Sequence, residues 1–231
     1  MTVNPVTIRI DEAHTVSGLI QSPAQAFACI VLAHGAGAGM THKFMAAVAD
    51  GLQERGVATL RFQFPYMEAG SKRPDRPALA HASVRAAVAV VRQIAPDLPL
   101  FAGGKSFGAR MTSQAQAEAP LPDVSGLMFF GFPLHPAGKP SDDRARHLAE
   151  VRVPMLFLQG TRDALAETRL LLPMVAALGA GSTLKLIEPA DHSFHVPVRS
   201  GRTDDQVLGE ALNDAASWMR AIVSHLSETT T

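Results

Sequence analysis

An α/β protein built on a mostly parallel sheet is the fold this sequence predicts. Three observations predict it. Short β-rich runs alternate with longer helical patterns along the whole chain, which implies parallel strands joined by right-handed crossover helices. The run Phe27–Ala33 is continuously apolar, as in a strand buried on both faces. Apolar residues make up 47% of 231, enough to cover a sheet on both sides and to exclude wholesale disorder. About eight strands with helices on both faces fill residues 1–231 as one domain.

The elements follow in order. Val6–Ile10 and Val16–Gln21 alternate apolar and polar residues around a turn at Asp11–Thr15, which suits an antiparallel edge pair. Phe27–Ala33 is the first buried parallel strand. Lys43–Arg55 is a helix closed by Gly56. Val57–Phe62 is the next strand, and Gln63–Pro77 is a loop rich in proline and charge. Ala78–Ile94 is a long Ala/Val helix that stops before Pro96. Leu98–Ala102 is a strand, Ser106–Glu118 a helix and Ser125–Phe130 a strand. Asp142–Glu150 is a short helix. Val153–Leu158, Ala166–Leu178, Thr183–Glu188 and Asp204–Leu226 are then strand, helix, strand and closing helix.

Composition narrows the function classes. Twenty-one Lys+Arg balance twenty-one Asp+Glu, so no basic surface for nucleic acid is expected. The single Cys29 excludes an internal disulfide framework and a Cys-rich zinc site. Met1–Asp11 lacks the order of a signal peptide. No apolar run approaches the ~20 residues of a membrane span. The expectation is a soluble cytoplasmic protein that contacts neither membrane nor nucleic acid.

In open α/β sheets ligands sit beyond the carboxyl ends of the strands, so the residues after each strand belong together. After Leu98–Ala102 comes Gly103-Gly104-Lys105-Ser106-Phe107-Gly108. Gly104, Ser106 and Gly108 fit G-x-S-x-G between a strand and a helix. That turn needs small neighbours and stands the serine oxygen clear of the sheet, with a helix N-terminus behind it. A plain serine N-cap would occupy the same place. Two similar motifs fail: a phosphate loop would need glycine where Pro99 stands, and a dinucleotide turn from Gly35 or Gly37 meets Met40 or His42.

His34-Gly35-Ala36-Gly37 follows Phe27–Ala33 and can aim backbone N–H groups into a pocket. An oxyanion would be held by the Phe107 amide and by that of Ala36, with Gly37 next in preference. His34 is expected to bond across this loop rather than act as a base. Asp163 ends Gln159-Gly160-Thr161-Arg162-Asp163, after the strand Val153–Leu158. Its rivals Asp142 and Asp143 suit a helix start. His192 lies in the loop after the last predicted strand and is preferred over His195 as general base. Histidines 14, 81, 135, 147 and 225 fall on turns or helix faces, where solvation explains them.

With these motifs in place, the chain resembles the α/β-hydrolase superfamily over essentially its full length. It is similar to a group of small α/β-hydrolase-like proteins distantly related to dienelactone hydrolases. Human members of that group include a testis-expressed protein and a chromatin-complex subunit. Leu60-Arg61-Phe62-Gln63-Phe64-Pro65-Tyr66, Pro74-Asp75-Arg76-Pro77 and Asp191-His192-Ser193-Phe194 also carry the likeness. The resemblance implies an α/β-hydrolase fold and a triad of Ser106, Asp163 and His192. It departs in two ways. Dienelactone hydrolases use cysteine where Ser106 stands, and Lys105 is a charge beside the nucleophile. No insertion is long enough for a large lid domain.

The expected function is a serine hydrolase that cleaves an ester, thioester or related acyl bond of a small molecule, without metal or cofactor. Tyr66, Met67, Phe132 and Leu134 are expected to line the substrate cleft. Arg61, Arg73 and Arg76 could bind an anionic group or be solvated surface charges. The alternative is a binding or scaffold protein that keeps the fold without turnover, since members of the group act as assembly subunits. A phosphate-binding protein is the weakest reading.

Overall fold

The computed structural model describes residues 3–229; the predicted single domain also takes in the two residues outside this span at each end. Eight strands form one sheet: β1 (Val3–Arg9), β2 (Thr15–Gln21), β3 (Ala28–Ala33), β4 (Val57–Phe62), β5 (Leu100–Lys105), β6 (Val124–Phe130), β7 (Met155–Gly160) and β8 (Ser182–Ile187). Their spatial order is β1-β2-β4-β3-β5-β6-β7-β8. β2 runs antiparallel to both β1 and β4, and every other pair is parallel. The antiparallel edge pair and the parallel body both follow the sequence pattern.

Among the described residues, six α-helices flank the sheet. They are α1 (Lys43–Glu54), α2 (Pro65–Glu68), α3 (Pro77–Ile94), α4 (Phe107–Glu118), α5 (Thr168–Ala177) and α6 (Asp204–Thr229). Val84, Val88, Met111, Ala115 and Leu171 carry α3, α4 and α5 into one core layer. Val48, Leu52, Val207, Ala211 and Met219 carry α1 and α6 into the other. β3, β4 and β7 are buried at every residue, which is why β3 is a continuous apolar run and the other two are mostly apolar rather than alternating. Fully burying one large apolar side chain contributes roughly 1.5–3 kcal/mol.

The ends of several elements differ by one to three residues from the sequence reading, β1 and β7 among them, and three elements stand out. β5 is shifted along the chain and runs to Lys105, so the strand reaches the serine directly. Gln63–Pro77 holds the helical turn α2, pinned by Asp75 Oδ2 accepting the Tyr66 amide at 3.1 Å. Asp143–Glu150 is a 3-10 helix. Among the described residues no helix is long and apolar enough to cross a membrane.

Candidate active site

β5 lies at the middle of the sheet, between β3 and β6. The chain leaves it through Ser106 at φ 52° and ψ −108°. A non-glycine residue in that region is strained and held there only by its surroundings. The surroundings are tight. A Cβ on Gly104 would stand 2.1 Å from the Ala33 carbonyl oxygen, and one on Gly108 2.3 Å from the same atom. Both positions therefore demand glycine, as the motif required.

His192 reaches this serine from beyond β8. Its Nε2 lies 2.8 Å from Ser106 Oγ, and its Nδ1 lies 2.6 Å from Asp163 Oδ2. A carboxylate only accepts, so Nδ1 carries the proton and Nε2 is left to accept from the serine hydroxyl. Asp163 is buried at the end of β7. Its Oδ1 accepts the Leu165 amide at 2.8 Å and its Oδ2 accepts Gln159 Nε2 at 2.5 Å. The histidine loop is closed on itself: Asp191 Oδ1 accepts the amides of Ser193 and His195 at 2.7 and 3.0 Å. The structure thus brings Ser106, His192 and Asp163 into one hydrogen-bonded chain.

The competing residues do not join this chain of bonds. His195 is exposed and bonds Asp204 Oδ2 at 2.9 Å, and that bond raises its pKa. Asp143 pairs with Arg146 at the surface.

The turn after β3 is held from behind. His34 is fully buried; its Nε2 accepts the Phe64 amide at 3.0 Å and its Nδ1 donates to the Gly35 carbonyl at 2.8 Å. Burial pushes its pKa down to about 4, so it is neutral and structural, as expected. The Tyr66 hydroxyl donates to the Ala36 carbonyl at 2.9 Å. In a trans peptide the next N–H points opposite its carbonyl. Anchoring the Gly35 and Ala36 carbonyls on the His34–Tyr66 side therefore turns the Ala36 and Gly37 amides the other way. Phe107 opens α4, so its amide has no intrahelical acceptor.

A cavity of about 840 Å³ opens beside Ser106. Ala36, Gly37, Phe44, Lys105, His192, Phe194 and Leu208 are among its walls. The four residues expected to line the cleft are not among them. Tyr66 is buried behind the glycine turn, and Met67 packs half-buried against the core. Phe132 and Leu134 are fully buried; the Phe132 ring sits 5.3 Å from Phe129 and 5.9 Å from Phe157. The chain turns inward after β6 because the Phe132 amide is tied to Gln159 Oε1 at 2.8 Å. The apolar walls come instead from α1, α6 and Phe194 of the His192 loop.

The arginines divide as well. Arg61 is buried and bonds the Gln21 side chain at 2.8 Å and the Met40 carbonyl at 3.4 Å, so it braces the turn. Arg73 and Arg76 are exposed and stand outside the cavity walls.

Solved structures share this architecture. A dienelactone hydrolase from Anabaena variabilis is 21% identical, over 95% of this chain and 97% of its own, with a TM-score of 0.76. An alpha-beta serine hydrolase homologue from Coxiella burnetii is 19% identical, over 93% and 98%, with a TM-score of 0.74. A serine hydrolase without a lid from Xanthomonas campestris is 20% identical, over 92% and 94%, with a TM-score of 0.71. These likenesses show a shared overall fold. The model of the alpha/beta hydrolase domain family matches residues 26–220, and the chain belongs to that family.

Proposed function

We propose that the protein is a serine hydrolase that cleaves an ester, thioester or related acyl bond of a small molecule. The observation that carries this reading is the chain of bonds from Ser106 Oγ through His192 to buried Asp163, at 2.8 and 2.6 Å. Neutral His192 takes the serine proton at Nε2 as Oγ attacks the carbonyl carbon. Asp163 holds the ring in the required tautomer and stabilises the imidazolium that forms. The amides of Phe107 and Ala36 receive the developing oxyanion at the positive end of α4. His192 then returns its proton to the leaving alcohol or thiol. Water attacks the acyl-serine with His192 as base, which releases the acid and restores Ser106.

The cavity volume suits a small ligand, since such pockets run about 300–1,000 Å³. Phe44, Phe194 and Leu208 offer an apolar wall for its acyl part. The names of similar folds, dienelactone hydrolase and serine hydrolase among them, agree with this reading.

Intact mass after incubation with a small fluorophosphonate, with Ser106→Ala beside the wild type, tests it. One adduct in the wild type and none in the variant is expected. Folded wild-type protein that takes no adduct would overturn the hydrolase reading in favour of a binding or scaffold protein.

A further inference from the structure

Lys105 is the last residue of β5 and the immediate neighbour of Ser106. Its ammonium donates a hydrogen bond to the backbone carbonyl of His192. The rings of Phe44 and Phe194 flank it at 5.6 and 5.4 Å. Gly131 leaves the room: a Cβ there would stand 2.7 Å from Nζ. The cation therefore sits in a socket made of one carbonyl, two aromatic faces and a residue without a side chain. Burying an ammonium is costly unless it is held. Here the carbonyl that holds it belongs to the residue that faces the serine.

The connection is short at both ends. Lys105 and Ser106 share a peptide unit, and the accepted carbonyl is that of His192 itself. The loop Asp191–His195 is also held by its own Asp191 contacts, by the His192–Asp163 bond, by the buried Phe194 ring and by the exposed His195–Asp204 pair. The lysine fastens that loop to the central strand.

We infer that Lys105 is a positioning residue, whose ammonium holds the His192 backbone so that Nε2 stays within reach of Ser106 Oγ. This rests on the reading of Ser106 as nucleophile and His192 as base. A charge-assisted bond is roughly twice as strong as a neutral one, so the clamp weakens when the ammonium loses its proton. Burial pushes the Lys105 pKa down to about 8, with Asp163 and Asp191 favouring the charged form. The other titratable groups around the cavity are His192 and His195 on the same loop, His42 and Lys43 at the start of α1, and Asp204 and Asp205 at the start of α6.

The test is the rate of fluorophosphonate adduct formation from about pH 6 to about pH 10, in wild type, Lys105→Arg and Lys105→Met, with a thermal melt of each. The wild-type rate should fall as pH passes about 8. Arginine stays protonated throughout, so Lys105→Arg should keep most of the neutral-pH rate and lose that alkaline fall. Lys105→Met should label about 10- to 100-fold more slowly at neutral pH. A folded Lys105→Met that labels at the wild-type rate with the wild-type profile would overturn the inference. If that variant does not fold, the other two decide: the same alkaline fall in both, or in neither, rejects the clamp. A wild type that never labels removes the hydrolase reading, and the clamp with it.

Discussion

Gln159 Nε2 donates to the same Asp163 oxygen, Oδ2, that His192 Nδ1 meets from the other side. The other end of that amide accepts the Phe132 backbone N–H. One side chain therefore fixes the carboxylate and the turn after β6 together. Gln159→Leu keeps the volume and removes both bonds. Fluorophosphonate labelling should slow about tenfold, because the carboxylate loses a bond that orients it towards His192. Stability should fall by about 1–3 kcal/mol, because the buried Phe132 amide is left unpaired. Unchanged labelling in a folded variant would show that Asp163 needs no brace.

Tyr66 braces the same site from behind the glycine turn. Tyr66→Phe removes only the hydroxyl that holds the Ala36 carbonyl. Turnover of an activated ester such as p-nitrophenyl acetate should drop about tenfold in kcat, with KM little changed. The loss is smaller than for removal of an oxyanion donor itself, since the amide is loosened rather than lost. A rise in KM alone would place Tyr66 in substrate binding.

The glycines of this region divide by what surrounds them. Gly104→Ala and Gly108→Ala drive a methyl into the Ala33 carbonyl, so neither variant should accumulate as folded protein. Gly37 has nothing within 4 Å of an added Cβ. Gly37→Ala should unfold within about 0.5 kcal/mol of the wild type in urea. Soluble, cooperatively melting Gly108→Ala would contradict the packing described here.

Buried neutral histidine makes the fold acid-sensitive. His34 has its pKa pushed down to about 4 by burial, from an ordinary 6.5. The unfolded chain therefore takes up this proton first as pH falls. Stability is full above 6.5 and declines from there towards 4. His147 adds to the same trend, lowered to about 4 by burial, with Arg110 and His81 acting in the same direction. The slope for one such group is at most about 1.4 kcal/mol per pH unit. Urea midpoints should fall between pH 7 and pH 5, and less steeply in His34→Gln, which is itself weaker at neutral pH. A flat profile in the wild type would count against a neutral His34.

What could be read from the chain follows a physical divide. Alternation and apolar runs report which face of a strand is buried, so the strands and their antiparallel edge were legible in the order of residues alone. The meeting of Ser106, Asp163 and His192 was legible too, because each follows its own strand and the strands end at one edge of the sheet. Side-chain direction after a strand was not legible. Phe132 and Leu134 follow β6 as Asp163 follows β7, yet a single amide bond to Gln159 turns that segment inward. Tyr66 likewise faces the glycine turn because Asp75, nine residues on, ties its amide. Phe44 and Leu208 escaped notice because on their helices they read as ordinary core positions. His135, read as solvated, is fully buried with Nε2 3.3 Å from Glu167.

The central place of β5 and the outer place of β8 also carry a consequence for how the molecule fails. Ser106 rides on a strand with neighbours on both sides, while the loop bearing His192 follows an edge strand whose residues are mostly half-exposed or exposed. Edge strands with few buried contacts open at lower free energy than central ones, although the loop beyond β8 keeps its own hold on the core through Ala190, Phe194 and Val196. Under gentle heating the histidine arm should therefore let go while the sheet is still whole. Labelling would then vanish below the temperature at which helix content is lost, and return on cooling. Inactivation and denaturation are therefore expected as two separate events, the first of them reversible.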